Sequence, residues 1–228
     1  MKGIRVAASC AFAFFLVLSA PFALASGESA RVESAAEVLG KSLAMPDKGI
    51  PSALLSDARG IAVIPGVIKV GFVVGGQYGR GVLSVREKDG GWSNPVFVTL
   101  MSGSVGWQIG AESTDFILVF KTARSVEGIM KGKYTLGGDA SVAAGPVGRS
   151  AKAATDIELK AEIYSYSRSR GLFAGVSLEG SSMQVDPESN AAFYGAENVK
   201  TSDIAAGKNV KVPDAAERLK KELARHVR

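Results

Sequence analysis

The sequence predicts an α+β protein of one domain, β-dominated, with its sheet rolled into a curved sheet, barrel or sandwich. Three observations carry that expectation. Short runs of β-branched and aromatic residues recur between residues 60 and 178, separated by turn residues. Glycine is abundant, at 27 residues, and falls inside those runs, where it marks bulges and tight bends. Helical periodicity is confined to the two ends and one short internal segment.

The elements follow in order. Residues 28–44 place Val32, Ala35, Ala36, Leu39 and Leu43 on one helical stripe, with Arg31, Glu33, Glu37 and Lys41 opposite. Met45-Pro46-Asp47 ends that helix, and a short second one follows with Pro51 near its start and Arg59-Gly60 at its end. Ile61 to Ile64 form an apolar strand stopped by Pro65-Gly66, and residues 67–74 continue as strand. Residues 82–86 alternate before Lys88-Asp89-Gly90-Gly91, a hairpin turn. Residues 92–101, 105–111 and 116–120 supply further strands, and 125–131 a short helix. Strands resume at 134–136, 140–144, 157–167 and 172–178. A polar stretch after Tyr194 leads to a last helix opened by Pro213, with Leu219, Leu223 and Val227 as its stripe.

The first 25 residues have the form of a cleaved leader. Lys2 and Arg5 precede an uncharged stretch from Val6 to Leu24, and Ala23-Leu24-Ala25 supplies small residues before a cut at Ala25-Ser26. The organisation expected is therefore a signal peptide at 1–25, an amphipathic helix and linker at 26–48, a core domain at 49–195 and a polar linker with basic helix at 196–228. The location expected is periplasmic or secreted.

Composition excludes several kinds of chemistry. The one cysteine, Cys10, lies inside the leader, so the mature chain has no thiolate to use. The one histidine, His226, is the third residue from the C-terminal end, far from where a triad or a zinc site is built. The formal charge of +5 is not concentrated on the core. Residues 49–195 carry fourteen basic and thirteen acidic groups, whereas 196–228 carry eight and five. No basic stripe of a nucleic-acid binder results. The glycine-rich run 75–81 leads into a strand, not a helix, and lacks a Gly-Lys-Ser/Thr, so it is a bulged hairpin and not a phosphate loop. Asp115, Asp139 and Asp156 are isolated and lack the alternation of a calcium loop. No catalytic residue, cofactor or metal is expected.

Basic side chains are the candidate contacts. Lys131 and Lys133 follow the short helix, Arg149 lies in a Gly-Pro-Val-Gly-Arg-Ser loop, and Arg168 and Arg170 flank the turn at Gly171. A loop cation beside glycine can approach a phosphate oxygen closely, with backbone N–H groups assisting. Tyr164 and Tyr166 share one face of a strand, with Tyr134 a possible companion in core packing.

Two long runs are distinctive: residues 132–149, from Gly132-Lys133-Tyr134-Thr135-Leu136-Gly137-Gly138-Asp139 to Gly148-Arg149, and residues 161–178, from Ala161-Glu162-Ile163-Tyr164-Ser165-Tyr166 to Leu178. With Gly60-Ile61-Ala62-Val63-Ile64-Pro65, Gly110-Ala111-Glu112-Ser113-Thr114-Asp115 and Phe193-Tyr194-Gly195, they resemble the SYLF domain family over roughly residues 50–195. That resemblance implies a non-catalytic, lipid-binding module. Eukaryotic members are associated with phosphoinositide membranes and some with actin filaments, and bacterial secreted members with lipid alone. Membrane-binding members share the work between an amphipathic N-terminal helix and basic residues. Here residues 26–48 carry three basic and four acidic groups, which weakens electrostatic docking through that helix. Read together with the leader, the expectation is a cell-envelope protein that engages anionic phospholipid through Lys131, Lys133, Arg149, Arg168 and Arg170, with phosphoinositides and actin set aside. The alternative is an envelope scaffold that binds a protein partner through its sheet or its last helix.

Overall fold

The computed structural model describes residues 20–45, 49–71, 74–105, 113–147, 160–169 and 171–226. Within them a nine-stranded sheet is flanked by helices, an α+β architecture in which the sheet curls into a half-barrel. The strands are β1 (Gly60–Gly71), β2 (Val74–Val85), β3 (Val96–Val105), β4 (Ser113–Phe120), β5 (Lys133–Thr135), β6 (Val142–Ala144), β7 (Ile163–Ser169), β8 (Leu172–Gly175) and β9 (Ser182–Val185). The helices are α1 (Ala20–Leu43), α2 (Ser52–Ser56), α3 (Ala123–Met130), α4 (Pro187–Tyr194), α5 (Thr201–Ala205) and α6 (Asp214–His226).

Strand order is β5-β9-β3-β2-β1-β4-β7-β6, with β8 also against β7. Four long antiparallel strands, β3-β2-β1-β4, form the centre, and β7 continues them antiparallel. The outer edge of β7 is divided: β6 pairs parallel with residues 163–165, and β8 antiparallel with residues 166–169. The two short strands meet end to end, and the Ser165 carbonyl accepts both Gly145 N–H (2.9 Å) and Val176 N–H (3.0 Å). A Cβ at Gly175 would lie 2.1 Å from the Gly145 carbonyl oxygen, so only glycine permits that junction. At Pro65-Gly66 the β1 register shifts against both neighbours, a bulge with Gly66 at φ 62°.

Over residues 61–64 and 116–120 both faces of the sheet are buried, which explains why these runs are continuously apolar and not alternating. Ile61, Val63, Val82, Phe97, Ile117 and Val119 face outward, where α1, α2, α4, α5 and α6 cover them. Ala62, Ile64, Leu83, Val98, Leu118 and Phe120 face inward, under α3, Tyr134, Leu136 and Leu178. The connection from β8 to β9 crosses the inner face, because β8 sits beside β7 while β9 pairs with β3 and β5. It carries Val176 and Leu178 onto the inner core as it passes.

The first helix is longer than the 28–44 periodicity predicts. It begins at Ala20 and runs through Ala25-Ser26, the expected cut, so that peptide bond lies within a helical turn. Its buried residues Val32, Ala35 and Leu39 follow the predicted stripe. The last helix starts directly after Pro213, as expected, and buries Ala215, Ala216, Leu219 and Leu223, packing on α1. The hairpin at 88–91 closes with Glu87 N–H on the Gly91 carbonyl (2.8 Å) and Gly90 at φ 88°. The expected strand at 105–111 lies almost wholly outside the described residues, as do residues 157–159 of another. Three elements escape the sequence reading, β9, α4 and α5. The signal for α4 was present: Asp186 caps it, Pro187 stands at its first turn and Gly195 closes it in the left-handed region.

Candidate functional site

The basic residues singled out from sequence occupy three situations. Arg149 and Arg170 lie outside the described residues. Arg168 stands on β7, on the outer face with Tyr164 and Tyr166, and its Nη1 is 3.5 Å from Asp115 Oδ2. The other Asp115 oxygen accepts the Gly66 N–H at 3.0 Å. Arg168 therefore ties β7 and β4 to the β1 bulge, and its Nε is buried with no hydrogen-bond partner among the described residues.

Lys131 and Lys133 belong together at the opposite end of the strand order. Lys131 is the C-terminal cap residue of α3, and its Nζ approaches Glu127 Oε2 only to 4.0 Å, with 79% of the side chain exposed. Lys133 begins β5, an edge strand whose inward residue is the buried Tyr134, which leaves Lys133 exposed. A cleft of about 490 Å³ opens beside them, lined by Glu127, Met130, Lys131, Lys200, Thr201 and Ser202. Lys200 comes from the polar stretch before α5, and nothing in its local sequence marks it as a companion of Lys131. The cleft pairs two lysines with one glutamate around the thioether of Met130, an arrangement suited to an anionic group with some apolar character. Six strand steps separate β5 from β7, so Arg168 does not share this cleft's edge of the sheet.

A second surface lies where α1 crosses the outer face. Arg31, Ser34, Pro65, Gly66, Ile68, Tyr78 and Arg80 line a cleft of about 380 Å³. Arg31 and Arg80 are held by carboxylates. Arg80 donates to Asp186 Oδ2 at 2.9 Å and to Ser189 Oγ at 2.8 Å, and Arg31 pairs with Glu28 while its guanidinium sits 5.7 Å above the Phe97 ring. Ser189 Oγ lies 2.8 Å from Asp186 Oδ2 and 3.1 Å from Glu28 Oε1, joining α1, β2 and α4. Burial pushes the Asp186 carboxyl up, but the Ser189 N–H, the Ser189 hydroxyl and Arg80 outweigh it and hold the carboxyl below its usual range. Two cations balanced by two carboxylates make a clamp that fastens α1 to the sheet. Beyond it Ile68, Tyr78 and Met101 are cross-strand neighbours on β1, β2 and β3, exposed by 51, 44 and 38%. Together they form an exposed apolar row on the outer face.

Tyr164 and Tyr166 are buried in the outer core, as their shared face predicts, while Tyr134 belongs to the inner one. Among the described residues no three His, Cys, Asp or Glu side chains gather as metal ligands, and no helix is long and apolar enough to cross a membrane.

Residues 101–226 match the family model described as Ysc84, Las17-binding protein actin regulator. The chain belongs to the Ysc84 family. The expected resemblance thus holds at the level of the family, and the match runs past residue 195 through α5 and α6. The chain is 42% identical over 176 residues to Protein YSC84 of Saccharomyces cerevisiae, covering 76% of this chain and 37% of that one. LAS seventeen-binding protein 3 of the same yeast is 40% identical over 176 residues, covering 76% and 38%. SH3 domain-containing YSC84-like protein 1 of Xenopus laevis is 38% identical over 173 residues, covering 75% and 51%. The chain spans about half the length of these Ysc84 relatives or less.

These relatives overturn the expected periplasmic or secreted location. They are yeast and vertebrate proteins whose names speak of Las17 binding and SH3 domains, and none is a bacterial envelope protein. The apolar run of residues 6–24 has a pattern that hydropathy alone reads as a leader. With the envelope setting withdrawn, the ground for setting aside phosphoinositides and actin also falls.

Proposed function

We propose that the chain is a non-catalytic binding module of the Ysc84 family that engages anionic lipid headgroups through basic side chains at the rim of its sheet. The cleft beside α3 carries this reading, because Lys131 and Lys200 flank it with Met130 between them and Lys133 exposed nearby. Arg149, Arg168 and Arg170 complete the proposed set, with Arg168 contributing only what its bond to Asp115 leaves available. Each lysine at an anionic surface is worth about 1 kcal/mol. Sedimentation with phosphatidylserine vesicles against phosphatidylcholine controls tests the proposal. Lys131→Glu with Lys200→Glu is expected to weaken binding by about tenfold or more, and rising salt is expected to weaken the unaltered chain. Equal binding to both vesicle types at low salt would sink it.

The relatives' names and the exposed row Ile68–Tyr78–Met101 favour a second reading, a protein partner of the Las17 type docked on the sheet. The apolar stripe of α6 is already occupied by α1, so the sheet face is the better candidate than the last helix. Tyr78→Ser with Met101→Ser separates the readings. Loss of a Las17 pull-down with unchanged vesicle binding supports the partner, and an unchanged pull-down removes this face from it.

A further inference from the structure

The inner face of the sheet changes character along its strands. Its buried half is mainly apolar, with Leu83 on β2, Val98 on β3, Leu118 on β4 and Ile163 on β7, and with Ser165 buried among them. Toward the other end, the residues of the same face become Gln77 on β2, Ser102 on β3, Thr114 on β4, and Ser167 and Ser169 on β7. Four strands switch from hydrocarbon to hydroxyl or amide at one end of the curl. The crossing segment between β8 and β9 adds Ser177 to them.

These side chains surround one pocket of about 200 Å³. In a flat sheet Ser102 and Ser167 would stand about 19 Å apart, at roughly 4.8 Å for each of four strand steps. Their convergence is a product of the curl, which makes the pocket the mouth of a half-barrel, a common position for ligand sites. Phe116, Val176 and Leu178 supply apolar surface within it. Gln77 Oε1 is buried there with no hydrogen-bond partner among the described residues. A buried acceptor left unpaired is costly and needs an O–H or N–H from something in the pocket.

We infer that this mouth is a binding site for a neutral polyhydroxyl ligand, one sugar ring in size. Among the described residues no Lys, Arg, His, Asp or Glu lines the pocket, a lining that favours a neutral ligand over phosphate, carboxylate or a cation. Hydroxyls both donate and accept, so they match ligand hydroxyls in either sense, while Gln77 Oε1 requires a donor. Phe116 and Leu178 offer a surface to the C–H face of a ring. The volume holds about six or seven waters at roughly 30 Å³ each, too little for a drug-sized molecule. The same chemistry is found in a free sugar and in the headgroup of a neutral glycolipid.

Saturation-transfer NMR on the full chain with glucose, galactose and sorbitol tests the site. In parallel, sedimentation is measured with phosphatidylcholine vesicles that contain or lack glucosylceramide. Saturation of sugar ring protons identifies a free-sugar site, and selective sedimentation with glucosylceramide identifies a glycolipid headgroup. Thr114→Val with Ser167→Ala is expected to weaken either signal about tenfold or more. Ser177→Ala, on the exposed crossing segment, is expected to weaken it in a chain whose folding is not at issue. No signal from any sugar or from glucosylceramide overturns the inference, as does binding unchanged in both variants. The site is independent of the lysine cleft: Lys131→Glu with Lys200→Glu is expected to leave sugar binding intact.

Discussion

Replacing Asp186 removes the keystone of the clamp between α1, β2 and α4. Its Oδ1 accepts the Ser189 N–H at 3.0 Å and caps α4, and its Oδ2 accepts Arg80 Nη2 at 2.9 Å with the Ser189 hydroxyl at 2.8 Å. Asp186→Ala loses the cap, worth about 1 kcal/mol. It also loses a charge-assisted pair worth about 1.5–3 kcal/mol when buried. Arg80 keeps 38% of its side chain in solvent, so the pair is discounted to about 1 kcal/mol. Repulsion between Arg31 and Arg80, no longer screened by the carboxylate, adds to the loss. The expected total is about 2–3 kcal/mol for Ala and about 1 kcal/mol for Asn, which keeps a capping oxygen. Urea unfolding measures both as a shift in midpoint at unchanged slope. A cost below about 0.5 kcal/mol for Ala, or one for Asn equal to that for Ala, would refute the reasoning.

The same carboxyl sets a pH dependence. Its folded-state pKa is depressed, so its contribution is complete above the unfolded value of about 4 and is lost as pH falls through the lower folded value. Stability of the unaltered chain is expected to drop below about pH 4 with a larger slope than in Asp186→Asn, as seen in urea midpoints across that range. Gly145→Ala places a Cβ 2.0 Å from Cζ of Tyr166, a fully buried ring stacked on Phe173 at 5.2 Å. Overpacking of this kind costs about 1–3 kcal/mol or more, and a fall in Tm of at least several degrees is expected by near-UV circular dichroism. Tyr194 donates its hydroxyl to the Pro95 carbonyl at 2.6 Å in the outer core, and burial pushes its phenol well above the usual range. Tyr194→Phe strands that carbonyl and is expected to cost about 1–2 kcal/mol in denaturant unfolding.

Local chemistry was legible where neighbours in sequence decide the outcome. The hairpin at Asp89-Gly90 and the helix after Pro213 are set by turn and capping residues. The stripe Val32, Ala35 and Leu39 follows from helical period, and Asp186, Pro187 and Gly195 are local start and stop signals for α4. Family membership was legible too, because the long motifs between residues 132 and 178 are local strings. Location was not: an apolar run has the same hydropathy whatever compartment its protein occupies.

Only the tertiary structure decided which strands meet and which side chains converge. A two-residue period says that Tyr164 and Tyr166 share a face, but not which face or what covers it. β3 with β9 and β6 with β7 are pairings across long stretches of chain, and nothing in either strand names its partner. Lys131 met Lys200 rather than Arg168, because strand order put β5 and β7 six steps apart and the fold brought the segment before α5 beside α3. The hydroxyl-lined mouth exists for the same reason. Gln77, Ser102, Thr114 and Ser167 are ordinary polar residues in sequence, and the curl of the sheet gathers them around one space.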